Sequence, residues 1–315
     1  MKVIGLIPFK NEEHFLPTYL SNVKPICDEI IAVDDHSTDN SRKIMEDAGV
    51  IVKGYEDTEK LKGGWTCGLI RQHLFNYGRE AGGTHFVCLD ADETFTSNFV
   101  PIAREVMEQL EPGEKVSMQW LALWKSCTHY RNDWTVWSNN FKDFIVRDDS
   151  SLDYGYGYMC EGRTIGPNND QTLRRLELEH GAVLHYQFSF YNNFQLKQAW
   201  CQIGELVQKG QGAVGEINNK YSITMLEDNV GMTQMPEEWI ENIPLPDIPN
   251  FDPEWNEKYF MRKNLLPDIY RHFDEYGVEY FKDLNVWHIP QLRDRLNDKN
   301  YSCVYKIWWY GKRWY

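Results

Sequence analysis

Four short β-rich runs, at 3–8, 30–34, 50–55 and 85–90, alternate with three helical patterns, at 12–23, 39–48 and 65–81. This alternation restricts the first 95 residues to an α/β arrangement, a parallel sheet with right-handed helical crossovers. Thr38 is placed as the N-cap of the second helix and Gly49 lies just past its end, where helix-stop chemistry puts a glycine. In sheets of this kind ligands sit outside the carboxyl ends of the strands. Those ends are polar here: Lys10-Asn11-Glu12-Glu13 follows the first strand, Asp34-Asp35-His36-Ser37 closes the second, and Asp90-Ala91-Asp92-Glu93 closes the fourth. Three acidic strand ends are expected along one edge.

Longer β-rich runs at 116–124, 135–146 and 182–188 are expected to finish the same sheet, and 192–209 has the apolar spacing of a helix. Residues 227–257 hold five prolines, nine acids and no base, which predicts an extended strap. A helix is expected over 254–276, and the last 14 residues carry three Trp, three Tyr, two Lys and one Arg without an acid. The expected division is one α/β domain over 1–212 and a C-terminal extension over 213–315, with the strap, then helices, packed on that domain.

Composition narrows the function classes. The 315-residue chain is 42% hydrophobic and 25% charged, so it can bury a large core. With 33 Lys and Arg against 47 Asp and Glu, its net charge of −14 argues against nucleic acid as a partner. No run approaches the roughly 18 apolar residues of a membrane span. Seven cysteines occur singly, without a CxxC pair, and the chain opens directly into a strand-like run. Both features lead us to expect a reducing, cytoplasmic setting. The aromatic and basic tail could rest peripherally at a membrane interface or simply pack on the protein.

Several residues are candidates for chemistry. Asp90 and Asp92, one residue apart at a strand end, would repel unless a bound divalent metal neutralised them, and that metal would also hold a diphosphate. The competing reading is an acidic turn that caps a helix. Asp34 and Asp35 either accept hydrogen bonds from a nucleoside or form a simple Asx turn. His185, after the apolar 182–184, is either a structural histidine or a ligand, with His180 as the alternative. Trp120, Trp124, Trp134 and Trp137 are candidates for a sugar platform or for the core. The run 210–215 fits GxGxxG but follows a helix, so a dinucleotide site is rejected.

Taken together, Ile7-Pro8-Phe9-Lys10-Asn11-Glu12-Glu13, the run 33–39 and Leu89-Asp90-Ala91-Asp92-Glu93 resemble, in order and spacing, the family 2 glycosyltransferases of GT-A fold over about residues 1–200. The resemblance implies a mixed sheet with helices on both faces that binds a nucleotide-diphosphate sugar. Pro8, Asn11 and Glu12 would border the base and ribose, Asp34 and Asp35 would contact the nucleoside, and Arg71 and Asp90 would lie near the nucleotide. Asp92, with His185 opposite, would ligate Mn²⁺ or Mg²⁺. The implied reaction is metal-assisted, inverting transfer of one sugar, with a UDP-sugar favoured as donor and a carbohydrate, glycolipid or glycoprotein as acceptor. Glu161 falls where relatives place the general base, with Asp153, Asp170 and Glu179 as competitors. The QxxRW signature of processive members is broken, because 171–175 ends in Arg174-Arg175. That departure points to single-residue transfer. A non-catalytic binder of the same fold and a sugar-phosphate nucleotidyltransferase are the rival readings.

Overall fold

The computed structural model describes residues 1–54, 67–133, 138–152, 163–166, 172–222, 231–246 and 265–297. In chain order the N-terminal half runs β1 (Val3–Phe9), α1 (Leu16–Val23), β2 (Glu29–Asp34), α2 (Ser41–Asp47), β3 (Ile51–Gly54), α3 (Cys67–Glu80), β4 (His85–Val87), β5 (Glu93–Phe95) and α4 (Ala103–Glu108). It continues through β6 (Lys115–Ala122), β7 (His129–Arg131), β8 (Phe141–Arg147), β9 (Leu173–Arg175), β10 (Val183–His185), α5 (Tyr191–Lys209) and α6 (Val214–Ser222). The last elements are β11 (Met232–Gln234), α7 (Leu266–Tyr276) and α8 (Pro290–Asn297).

Among the described residues the main sheet has the order β3-β2-β1-β4-β8-β6-β10-β5, with β9 pairing on β6. The strands β3, β2, β1 and β4 are mutually parallel, as the alternation predicts. The β8 strand then enters antiparallel to both β4 and β6, and β5 is antiparallel to β10, so the sheet is mixed. The parallel half is apolar on both faces because helices cover it on both sides. One layer packs Val3, Ile7, Leu16, Tyr19 and Phe95, and the opposite layer packs Ile4, Leu6, Leu74, Phe75 and Phe86.

Several expected boundaries move. The first helix starts at Leu16 rather than at 12, because residues 12–15 turn and place Pro17 in the first helical turn. Thr38 is not the N-cap of α2: Asn40 holds that position, and the Thr38 N–H donates to Asn11 Oδ1 at 2.7 Å. Gly49 takes φ +78° past the end of α2, where a left-handed residue is needed. The strand predicted over 182–188 stops at His185, and Tyr186–Phe188 is a 3₁₀ turn. Residues 138–140 precede β8 rather than belonging to it, and 134–137 lie outside the described residues.

The described part of the acidic strap, 231–246, does not run free of the core. It pairs as β11 with β7 and buries Met235, Trp239 and Ile243 against Leu121, Leu184 and Tyr186. A second core gathers Leu196, Ala199, Ile203 and Leu206 of α5 with Ile217, Tyr221, Ile269, Phe273, Phe281 and Trp287. Gly210, the first residue of the GxGxxG run, takes φ +82° at the C-terminus of α5. The run therefore ends a helix and opens none beside a strand. No helix among the described residues is long and apolar enough to cross a membrane. The aromatic tail at 302–315 lies outside the described residues.

Candidate active site

The site edge is built where β1, β2, β4, β6 and β10 end. At the β1 and β2 ends, two loops are sewn to each other. Asn11, at φ +54°, accepts the N–H groups of Thr38 and Asp39 at 2.7 and 3.3 Å on Oδ1, and its own N–H donates to Ser37 Oγ at 3.0 Å. The Glu12 N–H donates to Ser41 Oγ at 2.8 Å, and Glu13 Oε2 accepts the N–H of Asn40 at 3.0 Å. Asp34 is buried, accepts the Ser37 N–H three residues on at 2.9 Å and faces Arg42 at 3.6 Å. Asp35 is paired with Lys10 at 3.4 Å and His36 at 3.2 Å. Pro8 is half-buried on β1 beside Val33. A shallow cleft opens next to these loops, lined by Asn11, Glu12, Phe15, Gln187, Phe190 and Asn193.

At the β4 end Asp90 is neutralised from within the protein, by two arginines rather than by the divalent metal expected from the sequence. Arg71 Nη2 donates to Asp90 Oδ1 at 2.6 Å, and Arg163 Nη2 lies 3.1 Å from Asp90 Oδ2. Arg163 also donates through Nη1 to Glu93 Oε2 at 2.5 Å, so one buried guanidinium joins two carboxylates. Burial pushes the Asp90 carboxyl up, but Arg163 and then Arg71 outweigh it and hold the group down at about 2. Burial likewise works against charge on Arg163, yet Asp90 and Glu93 raise the guanidinium above its ordinary value.

Asp92 is placed differently. It is 4% exposed, and its Oδ2 lies 3.6 Å from His185 Nε2. Sheet register explains the approach: β10 lies between β6 and β5, His185 is opposite both Ala122 and Glu93, and Asp92 immediately precedes β5. The backbone reinforces it, since the Tyr186 N–H donates to Asp92 O at 2.9 Å. His185 Nδ1 is buried without a hydrogen-bond partner. By contrast His180 lies exposed before β10, at the opposite end of that strand, 3.6 Å from Glu179.

A carboxylate and an imidazole converging on one point fit a divalent cation that takes its remaining ligands from water and diphosphate oxygens. Among the described residues no group of three or more His, Cys, Asp or Glu side chains could hold a metal by itself. The two-ligand reading of Asp92 and His185 therefore needs the substrate's oxygens to complete the sphere.

Three participants escape sequence reasoning: Arg163, Glu93 and the way Trp120 is used. Trp120 donates its indole N–H to Glu93 Oε1 at 2.7 Å and stacks on His185 with centroids 4.1 Å apart. One ring face is thus occupied by His185, and the Lys142 ammonium lies 4.9 Å from the ring centroid, so the protein's own side chains take up much of the Trp120 ring. Trp124 is 1% exposed and belongs to the core. Glu161, Asp153, Asp170, Trp134 and Trp137 lie outside the described residues. The only signal available was the acid at 93, three residues after Asp90; nothing in the sequence links it to 163.

The described residues thus form a mixed α/β sheet with acidic residues at the carboxyl ends of its parallel strands. Residues 6–117 match the model of Glycosyl transferase family 2. No curated protein matches the chain. Among solved structures it is similar to glucosyl-3-phosphoglycerate synthase of Mycobacterium tuberculosis in complex with Mn²⁺, UDP and glucosyl-3-phosphoglycerate, at 20% identity and TM-score 0.29 over 38% of this chain and 44% of that one. A complex of the same enzyme with Mn²⁺ and UDP-glucose gives 17% identity and TM-score 0.27, over 38% and 43%. A mycobacterial protein gives 19% and 0.28, over 38% and 40%. The chain thus spans less than half the length of these structures.

Proposed function

We propose that the protein is a glycosyltransferase that moves one sugar from a nucleotide-diphosphate sugar, with UDP-sugars favoured, to an acceptor hydroxyl with inversion. The observation that carries this reading is the single edge on which the β1 and β2 loops, the Arg-clamped Asp90 and the Asp92–His185 pair meet. The β1-end and β2-end loops around Asn11 and Glu12 would take the nucleoside, with Asp35 the more open of the two β2-end carboxylates, at 15% exposure against 7% for Asp34. Asp92 and His185 would hold Mn²⁺ or Mg²⁺, whose contribution when bound is to stabilise charge on the leaving diphosphate. Arg71 and Arg163 keep Asp90 ionised at that place, so the diphosphate meets a fixed field rather than one that must reorganise. Glu161 would accept the proton of the attacking hydroxyl.

The test is calorimetric titration of the full chain with UDP, GDP, dTDP and CDP, each with Mn²⁺ and with EDTA. Metal-dependent binding of one nucleotide, followed by release of that nucleoside diphosphate from its sugar conjugate in the presence of acceptors, supports the reading. Binding without turnover favours the non-catalytic binder, and release of pyrophosphate favours the nucleotidyltransferase.

A further inference from the structure

A histidine that ligates a metal usually donates its other ring N–H to a carboxylate or carbonyl, and that bond sets its orientation and tautomer. His185 has no such bond: its Nδ1 is buried and unpartnered. Its ring is held by aromatic contacts instead. Trp120 stacks on it at 4.1 Å with an interplanar angle of 19°, and Phe188 meets it edge-on at 4.9 Å and 86°. Offset stacking and edge contacts of this kind add stabilisation beyond area burial, comparable to the hydrogen bond they replace.

Trp120 is itself fixed on its other side. Its indole N–H donates to Glu93 Oε1 at 2.7 Å, and Glu93 Oε2 receives both Arg163 Nη1 at 2.5 Å and the Asp90 N–H at 2.8 Å. The Arg163 guanidinium also lies 5.4 Å from the Trp120 ring. Glu93 is 0% exposed, so this carboxylate has no solvent role and acts as a buried joint. The ring that orients His185 is therefore bonded to the same carboxylate that anchors the Arg163–Asp90 clamp.

We infer that Trp120 is a positioning residue for the cation pair: its stacked ring aims His185 Nε2 at Asp92, and its bond to Glu93 ties that aim to the Asp90 clamp. This rests on the reading of Asp92 and His185 as cation ligands given above. It assigns to an aromatic face the orienting task that a second-layer carboxylate ordinarily performs.

The experiment measures Mn²⁺ binding by electron paramagnetic resonance in the presence of saturating UDP, with UDP affinity in EDTA and the melting temperature recorded on the same full-length samples. Trp120→Met fills similar volume without a rigid ring and is expected to weaken Mn²⁺ binding roughly 10–100-fold while UDP affinity in EDTA stays at the wild-type value. Trp120→Phe keeps a stacking ring but loses the N–H, and is expected to recover most of that affinity. A purely structural Trp120 would move the melting temperature in both variants and leave Mn²⁺ affinity alone. Wild-type Mn²⁺ affinity in Trp120→Met, or equal weakening in Met and Phe variants, overturns the inference while Asp92→Asn still loses Mn²⁺. Retention of Mn²⁺ by Asp92→Asn, or no Mn²⁺ binding by the wild type, overturns the cation site itself and the inference with it. Should Trp120→Met not fold, the wild-type protein decides by NMR: the His185 ring protons, identified by their loss in His185→Gln, are expected upfield under the Trp120 ring current, and unshifted resonances overturn the stack.

Discussion

Arg71, 3% exposed on α3, donates a 2.6 Å hydrogen bond to the partly exposed carboxylate of Asp90, nineteen residues further along the chain. The bond crosses from a helix on one face of the sheet to the end of β4, and Arg163 completes it from the other side at 3.1 Å. The pair has a signature in pH. Asp90 is held at about 2 against an ordinary value of 3.8. A depressed carboxyl contributes stability that is present above its unfolded value and is lost as pH falls through its folded value. The window therefore lies between about pH 4 and pH 2, and the contribution is about 2 kcal/mol. Urea unfolding of wild type and Asp90→Asn should show a stability gap at pH 6 that narrows steadily towards pH 2.5. A gap of constant size would mean that the arginines do not act on Asp90 in this way.

Asn11 makes a separate prediction. Its positive φ suits Asn, whose short side chain tolerates the left-handed region, and its Oδ1 accepts two backbone N–H groups of the facing loop. Asn11→Ala takes the acceptor from both N–H groups, which water can partly replace, and is expected to cost about 0.5–1.5 kcal/mol and to weaken nucleotide binding, because the two loops would no longer share one geometry. Asn11→Asp keeps the acceptor and should lose less. Denaturant midpoints and calorimetric affinities of the two variants check the order, and equal losses would contradict it.

The parallel half of the sheet could be read from sequence because its signals are local. Alternating apolar strands and amphipathic helices mark β1, α1, β2, α2, β3, α3 and β4 within a few residues, and the polar runs at 10–13, 34–37 and 90–93 fall where those strands end. The other half was less legible for identifiable reasons. β5 has three residues and begins with Glu93, so its acidic start reads as a cap, although pairing with β10 makes it a strand. The Thr38 capping signal was outcompeted by a tertiary bond to Asn11. Arg163 sits 70 residues from Glu93, and no periodicity connects them. Charge balance in the DxD run could not be inferred from the run alone, since its cations come from α3 and from residue 163.

Close packing between α3 and the sheet gives a pair of opposite predictions. A Cβ at Gly78 would lie 2.6 Å from Phe86 Cε1 and 3.2 Å from Leu6 Cδ2, and both side chains are buried. Alanine gains up to about 1 kcal/mol of helix propensity over glycine, but overpacking against a fixed ring costs typically 1–3 kcal/mol. Gly78→Ala should therefore destabilise. Gly215, near the start of α6, has nothing within 4 Å of its built Cβ, so Gly215→Ala should stabilise by about 0.5–1 kcal/mol. Thermal melts of both variants provide the check, and a stabilised Gly78→Ala would show that Phe86 can move aside.

The proposed chemistry separates binding from turnover at two positions. Asp92→Asn removes the charge from a buried pair whose partner, His185, stays in place on β10, so the fold should persist while metal-dependent nucleotide binding is lost. If Glu161 takes the acceptor proton, the amide of Glu161→Gln cannot, and kcat should fall roughly 10²–10⁴-fold with donor affinity nearly unchanged. The log of kcat against pH should then lose its acid limb in Glu161→Gln, because the group whose deprotonation is required is gone. Steady-state kinetics across pH 5–9, with donor affinity measured by calorimetry, distinguishes this from a misfolded or donor-blind variant. Wild-type turnover with an intact acid limb would remove Glu161 from the mechanism and transfer the role to Asp153 or Asp170, to be tested one substitution at a time by the same split; Glu179 lies exposed at the far end of β10 and is not a candidate.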